Sequence, residues 1–223
     1  MTTTTAPSAD MVRLTGELGS QLSRWLWLVK MFLAIPHFVI LAALWVPFIL
    51  TTLIAGIAIV VTGHYPRTLF DFNVGVLRWN WRVGFYVYAA LGTDKYPPFS
   101  LAEQADYPAH FDVSYNSRPS RGLVPLTWFM AIPHLVIVAL IMGSLLTFVQ
   151  SSDVASGAFS VLNVLVVIAG VFLLLTGRYP QPLFDLLIDI NRWVYRVLAY
   201  VAFMRDEYPP FRLNTRDSNV TER

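Results

Sequence analysis

The sequence predicts an all-α integral membrane protein of two tandem repeats, each a transmembrane helical hairpin followed by an amphipathic interfacial helix. Three observations carry this. The 223 residues are 56% hydrophobic and only 13% charged, with a mean hydropathy of +0.55, which is more apolar side chain than one soluble core of this size hides. Apolar runs recur at about the length that crosses a bilayer. Four short motifs occur twice in the same order, the signature of an internal duplication.

The elements follow in chain order. Residues 1–23 read as a cytoplasmic N-terminal tail, Thr-rich in its first ten residues and lacking the basic region and cleavage site of a secretory signal. The first repeat, 24–101, opens with spans at about 25–45 and 47–63, parted by Pro47 acting as a sharp break. Lys30, inside the first span, is expected to snorkel to the cytoplasmic interface. An interfacial helix at about 66–91 follows, with Pro66 in its first turn. Residues 102–121 read as a polar linker, and His64, His110, Asp106 and Asp112 as solvated loop residues. The second repeat, 122–213, has spans at about 124–149 and 160–176 and an interfacial helix at about 180–203, before a C-terminal tail at 214–223.

The duplication is read residue by residue. Ala34-Ile35-Pro36-His37 returns as Ala131-Ile132-Pro133-His134. Thr62-Gly63-His64-Tyr65-Pro66 and Leu69-Phe70-Asp71 return as Thr176-Gly177-Arg178-Tyr179-Pro180 and Leu183-Phe184-Asp185, with both glycines read as helix C-terminal caps. Arg78-Trp79 with Arg82 returns as Arg192-Trp193 with Arg196, and Tyr96-Pro97-Pro98-Phe99 as Tyr208-Pro209-Pro210-Phe211. The offset grows from 97 residues at the first motif to 114 at the second, so the second copy is longer, most simply in the connection at 150–160.

This motif set resembles the bacterial membrane-protein family labelled domain of unknown function 4389, in two tandem copies covering residues 25–213. The resemblance implies a bacterial integral membrane protein and supplies no activity, cofactor or catalytic residue.

Charge placement sets the expected topology. The connections at 45–47 and 150–160 hold no Lys or Arg, while the termini and the central segment hold nearly all of them. By the positive-inside rule, the termini lie in the cytoplasm of a multi-pass membrane protein; the resemblance implies that this is the bacterial inner membrane.

Charge also singles out candidate sites. Asp185, Asp189, Arg192 and Arg196 fall within an arc of roughly 60° at 100° per residue, and Asp71, Arg78 and Arg82 repeat the stripe. A lipid-facing span would pay about 2.5–3.5 kcal/mol for each central charge, which favours interfacial helices over a third span per repeat. There Arg78, Arg82, Arg192 and Arg196 are candidates for holding lipid phosphates through bidentate guanidinium contacts, with Asp71, Asp185 and Asp189 as their structural companions. His37 and His134 are intramembrane polar candidates: structural partners of backbone carbonyls, proton-handling groups, or the two axial ligands of a b-type haem. Tyr96, Phe99, Tyr208 and Phe211 read as interface anchors at the helix-ending prolines.

The absence of cysteine excludes disulfides, thiolate metal sites and cysteine nucleophiles. A net charge of +2 points away from nucleic acid. No residue pattern matches a metal site, a Walker loop, a dinucleotide fingerprint or a serine elbow, so no metal and no catalytic residue is expected. The leading expectation is a non-enzymatic scaffold or accessory subunit whose partners are the lipid bilayer and a membrane protein or a second copy. A small transporter or channel-like component is the alternative, and a bis-histidine haem electron-transfer protein a further one.

Overall fold

The computed structural model describes residues 12–117, 119–142, 160–211 and 213. The tail at 1–11, the end of the expected span at 143–149, the connection at 150–159 and the tail at 214–223 lie outside the described residues. The order is β1 (Val12–Gly16), α1 (Trp27–Leu33), α2 (Ile35–Thr62), α3 (Arg67–Val87), β2 (Ala109–Val113), α4 (Val124–Ile141), α5 (Val161–Thr176) and α6 (Gln181–Val201). The predicted helical majority is present; the two strands are not part of the expectation.

The first repeat departs from the expected hairpin. Pro47 lies inside α2, which runs 28 residues without a break, about 42 Å at the usual rise. An internal proline costs about 3 kcal/mol, but α2 has a continuous buried face on both sides of it, including Leu41, Phe48, Ala55 and Ile59. Each large side chain there is worth about 1.5–3 kcal/mol on burial, so packing against α3 outweighs the lost hydrogen bond. No glycine or turn-forming polar residue flanks Pro47 to make a reversal cheaper.

The strands occupy the expected tail and linker. β1 and β2 pair antiparallel, Val12 opposite Val113, Leu14 opposite Phe111 and Gly16 opposite Ala109. Leu14, Ala109, Phe111 and Val113 are buried, while Arg13, Thr15 and Asp112 are exposed, the period of two that a half-buried strand requires. Residues 12 and 109, like 16 and 113, are separated by the offset of the first motif. The register therefore maps onto itself when the copies are exchanged, and a local two-fold axis passes through the Leu14–Phe111 pair.

Three layers result. On one side of α3, Trp79, Val83, Tyr86 and Val87 pack with Ala34, between α1 and α2, and with Leu41 of α2. On the other, Arg78 and Trp81 bond backbone carbonyls of Phe111 and Thr15. Along its third edge α3 meets α6, where Asn80 donates to the Tyr195 hydroxyl at 2.7 Å. The two amphipathic helices, expected at the membrane interface, are thus buried between the sheet and the apolar helices. The outer faces of α1, α2, α4 and α5 carry the exposed large hydrophobic residues, among them Ile57, Val61, Phe129 and Leu175.

Candidate functional site

The repeated motifs meet in two aromatic boxes, one per repeat. Each Ala-Ile-Pro-His places its histidine on an apolar helix so that the imidazole points inward, where His37 and His134 are fully buried. The Trp of Arg-Trp comes from α3 or α6, and the Tyr-Pro-Pro-Phe segment, held extended by its prolines, folds back over the imidazole. In the first box Trp79 Nε1 donates to His37 Nδ1 at 3.1 Å, so that nitrogen carries no proton. Phe99 stacks on the ring at 4.0 Å with Tyr96 at 4.9 Å. In the second, His134 Nε2 donates to the Pro209 carbonyl at 2.8 Å, Phe211 stacks at 4.0 Å and Tyr208 meets the ring edge at 4.6 Å. Trp193 stacks on His134 instead of bonding it, and its Nε1 and His134 Nδ1 both lack a hydrogen-bond partner. The boxes share no residue, so the two imidazoles do not converge on one place as a shared axial pair would.

Tyr96, Phe99, Tyr208 and Phe211 remain partly exposed on their outer sides, with one face on histidine and the other outward. The Tyr96 hydroxyl also donates to the Leu33 carbonyl at 3.0 Å, fastening the motif to the end of α1.

The charged stripe faces the sheet. Arg78 Nε donates to the Phe111 carbonyl at 2.9 Å, Nη1 to Leu101 at 3.3 Å and Nη2 to the Asp112 carboxylate at 2.9 Å, and Glu103 completes its surroundings. Arg192 Nε donates to the Leu14 carbonyl at 3.0 Å and Nη1 to Asp189 at 2.9 Å. Leu14 and Phe111 face one another in the sheet, so two equivalent arginines grip its central pair. Arg82 is buried and donates to the Ser100 carbonyl, and Arg196 Nε donates to the Arg192 carbonyl at 3.3 Å. Asp71 and Asp185 stand apart from the arginine cluster, bonded one turn back to Arg67 and Gln181. Of the four candidate headgroup ligands, Arg78 and Arg192 bond strand carbonyls, Arg82 a loop carbonyl and Arg196 the carbonyl one turn back on its own helix.

Further polar groups outside the candidate site residues also tie the fold together. Lys30, expected at the interface, is buried, donates to the Thr93 carbonyl at 2.6 Å and pairs with Asp94 at 2.8 Å; these partners offset part of the desolvation of its ammonium. Asp94 also accepts from the Ser23 amide, as Asp206 does from the equivalent Ser120 amide. Arg24 and Arg121, themselves one motif offset apart, each lie over a glycine of the other repeat. Gly63 and Gly177 end α2 and α5 in the left-handed conformation, φ 77° and 70°, as expected of caps. The Arg121 guanidinium covers Gly63 and donates to the Thr62 carbonyl at 2.7 Å, while Arg24 covers Gly177. Beside Gly63, the buried Asn73 donates to the Tyr65 hydroxyl at 2.9 Å. Burial pushes that phenol up to about 12, and the bond from Asn73 moderates the shift.

A family described as Domain of unknown function (DUF4389) matches residues 17–100 and 145–212. The chain belongs to this family. The two matched segments hold Trp79 with Tyr96–Phe99 and Trp193 with Tyr208–Phe211, one box wall each. Both strands and Arg121 lie outside them. No curated protein and no solved structure matches the chain.

Proposed function

We propose that this protein is a non-enzymatic scaffold of the bacterial inner membrane, set into one leaflet by α1, α2, α4 and α5 and presenting its two-stranded sheet to the cytoplasm. The observation that carries this reading is the segregation of the three layers: exposed hydrocarbon on the outer helices, exposed Arg13, Thr15 and Asp112 on the sheet. Two helices, Ile35–Thr62 and Val124–Ile141, are long and apolar enough to cross a bilayer. If α2 crossed, however, the sheet beside the middle of α3 would sit at mid-bilayer, at about 2.5–3.5 kcal/mol per exposed charge. Lying in the plane of the leaflet, α2 keeps both charged ends on one side, as the charge rule asks, and still buries its apolar face to the depth usual for an interfacial helix. Arg78, Arg82 and Arg192 are engaged by strand and loop carbonyls, which favours a structural platform over a transport path.

The chain has no cysteine, so single-cysteine labelling of Gln21→Cys, Val46→Cys and His64→Cys tests the placement cleanly. The expected result is recovery in the membrane fraction, labelling of positions 21 and 64 from the cytoplasmic side and protection of position 46 from both. Labelling of 21 and 64 from opposite sides means that α2 crosses; labelling of 46 from outside means two spans.

A further inference from the structure

Between the second half of α2 and the first turns of α4 runs an apolar groove of about 450 Å³, within the roughly 300–1,000 Å³ range of ligand pockets. Gly56, Val60, Val124, Trp128 and Phe203 wall it, and Arg121 stands at one end. Past Leu53 and Trp128 it continues into a recess of about 250 Å³ beside Trp45 and Phe48. From Val61 to Trp45 the two follow α2 for about 24 Å at the helical rise, a long narrow shape suited to an extended hydrocarbon chain.

The local two-fold axis supplies a control inside the molecule. Exchange of the copies carries Gly56 to Gly170, Arg121 to Arg24 and Val124 to Trp27. The Trp27 indole lies so close to Gly170 that a Cβ there would meet it at 3.1 Å. Trp27 therefore fills the second position; at the first, Phe203 covers Gly56, where a Cβ would meet its ring at 2.9 Å, and Val124 leaves the groove beside that ring open. Arg121 is exposed, lines the groove and uses one nitrogen on Thr62, so its guanidinium keeps further donors with which to meet an anion.

We propose that this groove holds one acyl chain of an anionic phospholipid, with its phosphate at Arg121. The proposal rests on the membrane placement above and deepens it by naming the lipid and its seat. The test is native mass spectrometry of the full chain, exchanged in mild detergent into phosphatidylglycerol or phosphatidylcholine and then stripped. The wild type is expected to retain one phosphatidylglycerol in preference to phosphatidylcholine. Val124→Trp, which copies the plug, should lower retention at least tenfold, and Arg121→Gln should remove the headgroup preference. Trp27→Val should add a second retained lipid, which keeps the test alive if Val124→Trp does not fold. The proposal is overturned by a wild type that retains no lipid or shows no preference, by equal retention in Val124→Trp, or by a dimer lost in Val124→Trp where lipid was expected. Loss of the groove alone leaves membrane recovery intact, whereas a chain recovered without detergent in the soluble fraction defeats the membrane placement itself.

Discussion

The two repeats share a skeleton and differ in how it is tied. Both have a strand, an arginine on the partner strand's carbonyl, a histidine box and a glycine cap covered by the other repeat. The first repeat ties these with polar bonds: Lys30 to Asp94 and Trp79 to His37. In the second, Thr127 stands at the position of Lys30, and Trp193 stacks on His134 without a bond. The first also plugs its neighbour with Trp27, while the second leaves the α2 groove open with Val124. Duplicated motifs thus recur in one architecture, and where the copies diverge the first repeat has a buried ion pair and a Trp–His bond, the second a bond from His134 to the Pro209 carbonyl and an open groove.

The largest test of this asymmetry is Lys30. Lys30→Met leaves Asp94 uncompensated and should cost about 3 kcal/mol, in the range for breaking a buried pair, whereas Thr127→Met should change stability by less than about 1 kcal/mol. Thermal unfolding in detergent checks both, and equal losses would erase the distinction between the repeats.

Next come the arginines that hold the sheet. Arg78→Ala removes contacts to two carbonyls and two carboxylates, Arg192→Ala to one of each. With charged hydrogen bonds worth about 1.5–3 kcal/mol, the first should lose about 3 kcal/mol and the second about 2, read as falls in unfolding midpoint. Amide exchange in Leu14 and Phe111 should rise in both variants.

How much of this was legible depends on where each signal resides. The glycine caps, the amphipathic helices and the one-sided arginines are local patterns, and the sequence displays them. The strands are five residues each, too short to stand out, and what stabilises them is a partner strand and an arginine far away in the chain. Pro47 signals a break locally, but the face that carries α2 through it becomes visible only against α3. The histidine boxes need three separated motifs to converge, and only their shared order hinted at it.

Smaller effects refine the picture further. His37→Phe should cost about 1–2 kcal/mol by leaving the buried Trp79 N–H without an acceptor, and His134→Phe a similar amount by leaving the Pro209 carbonyl without its donor. Least of all, the exposed Asp106 has its pKa lowered by the hydrogen bond from Lys95. Its stabilising contribution is present above the ordinary carboxylate pKa of about 3.9 and fades as acid carries the pH through the lower folded value. A slight rise in amide exchange at 95–106 on acidification, absent in Asp106→Asn, is the expected sign.

The arginines over Gly63 and Gly177 carry a consequence for ancestry. Each repeat finishes a helix with a side chain from the other, and each lends a strand to the same pair. That reciprocity is the form of an isologous homodimer, in which one patch meets its own copy. A single repeat would leave its glycine cap uncovered and its strand unpaired unless a second copy supplied both. The tandem gene then reads as such a dimer joined end to end, after which the two halves were free to become unequal.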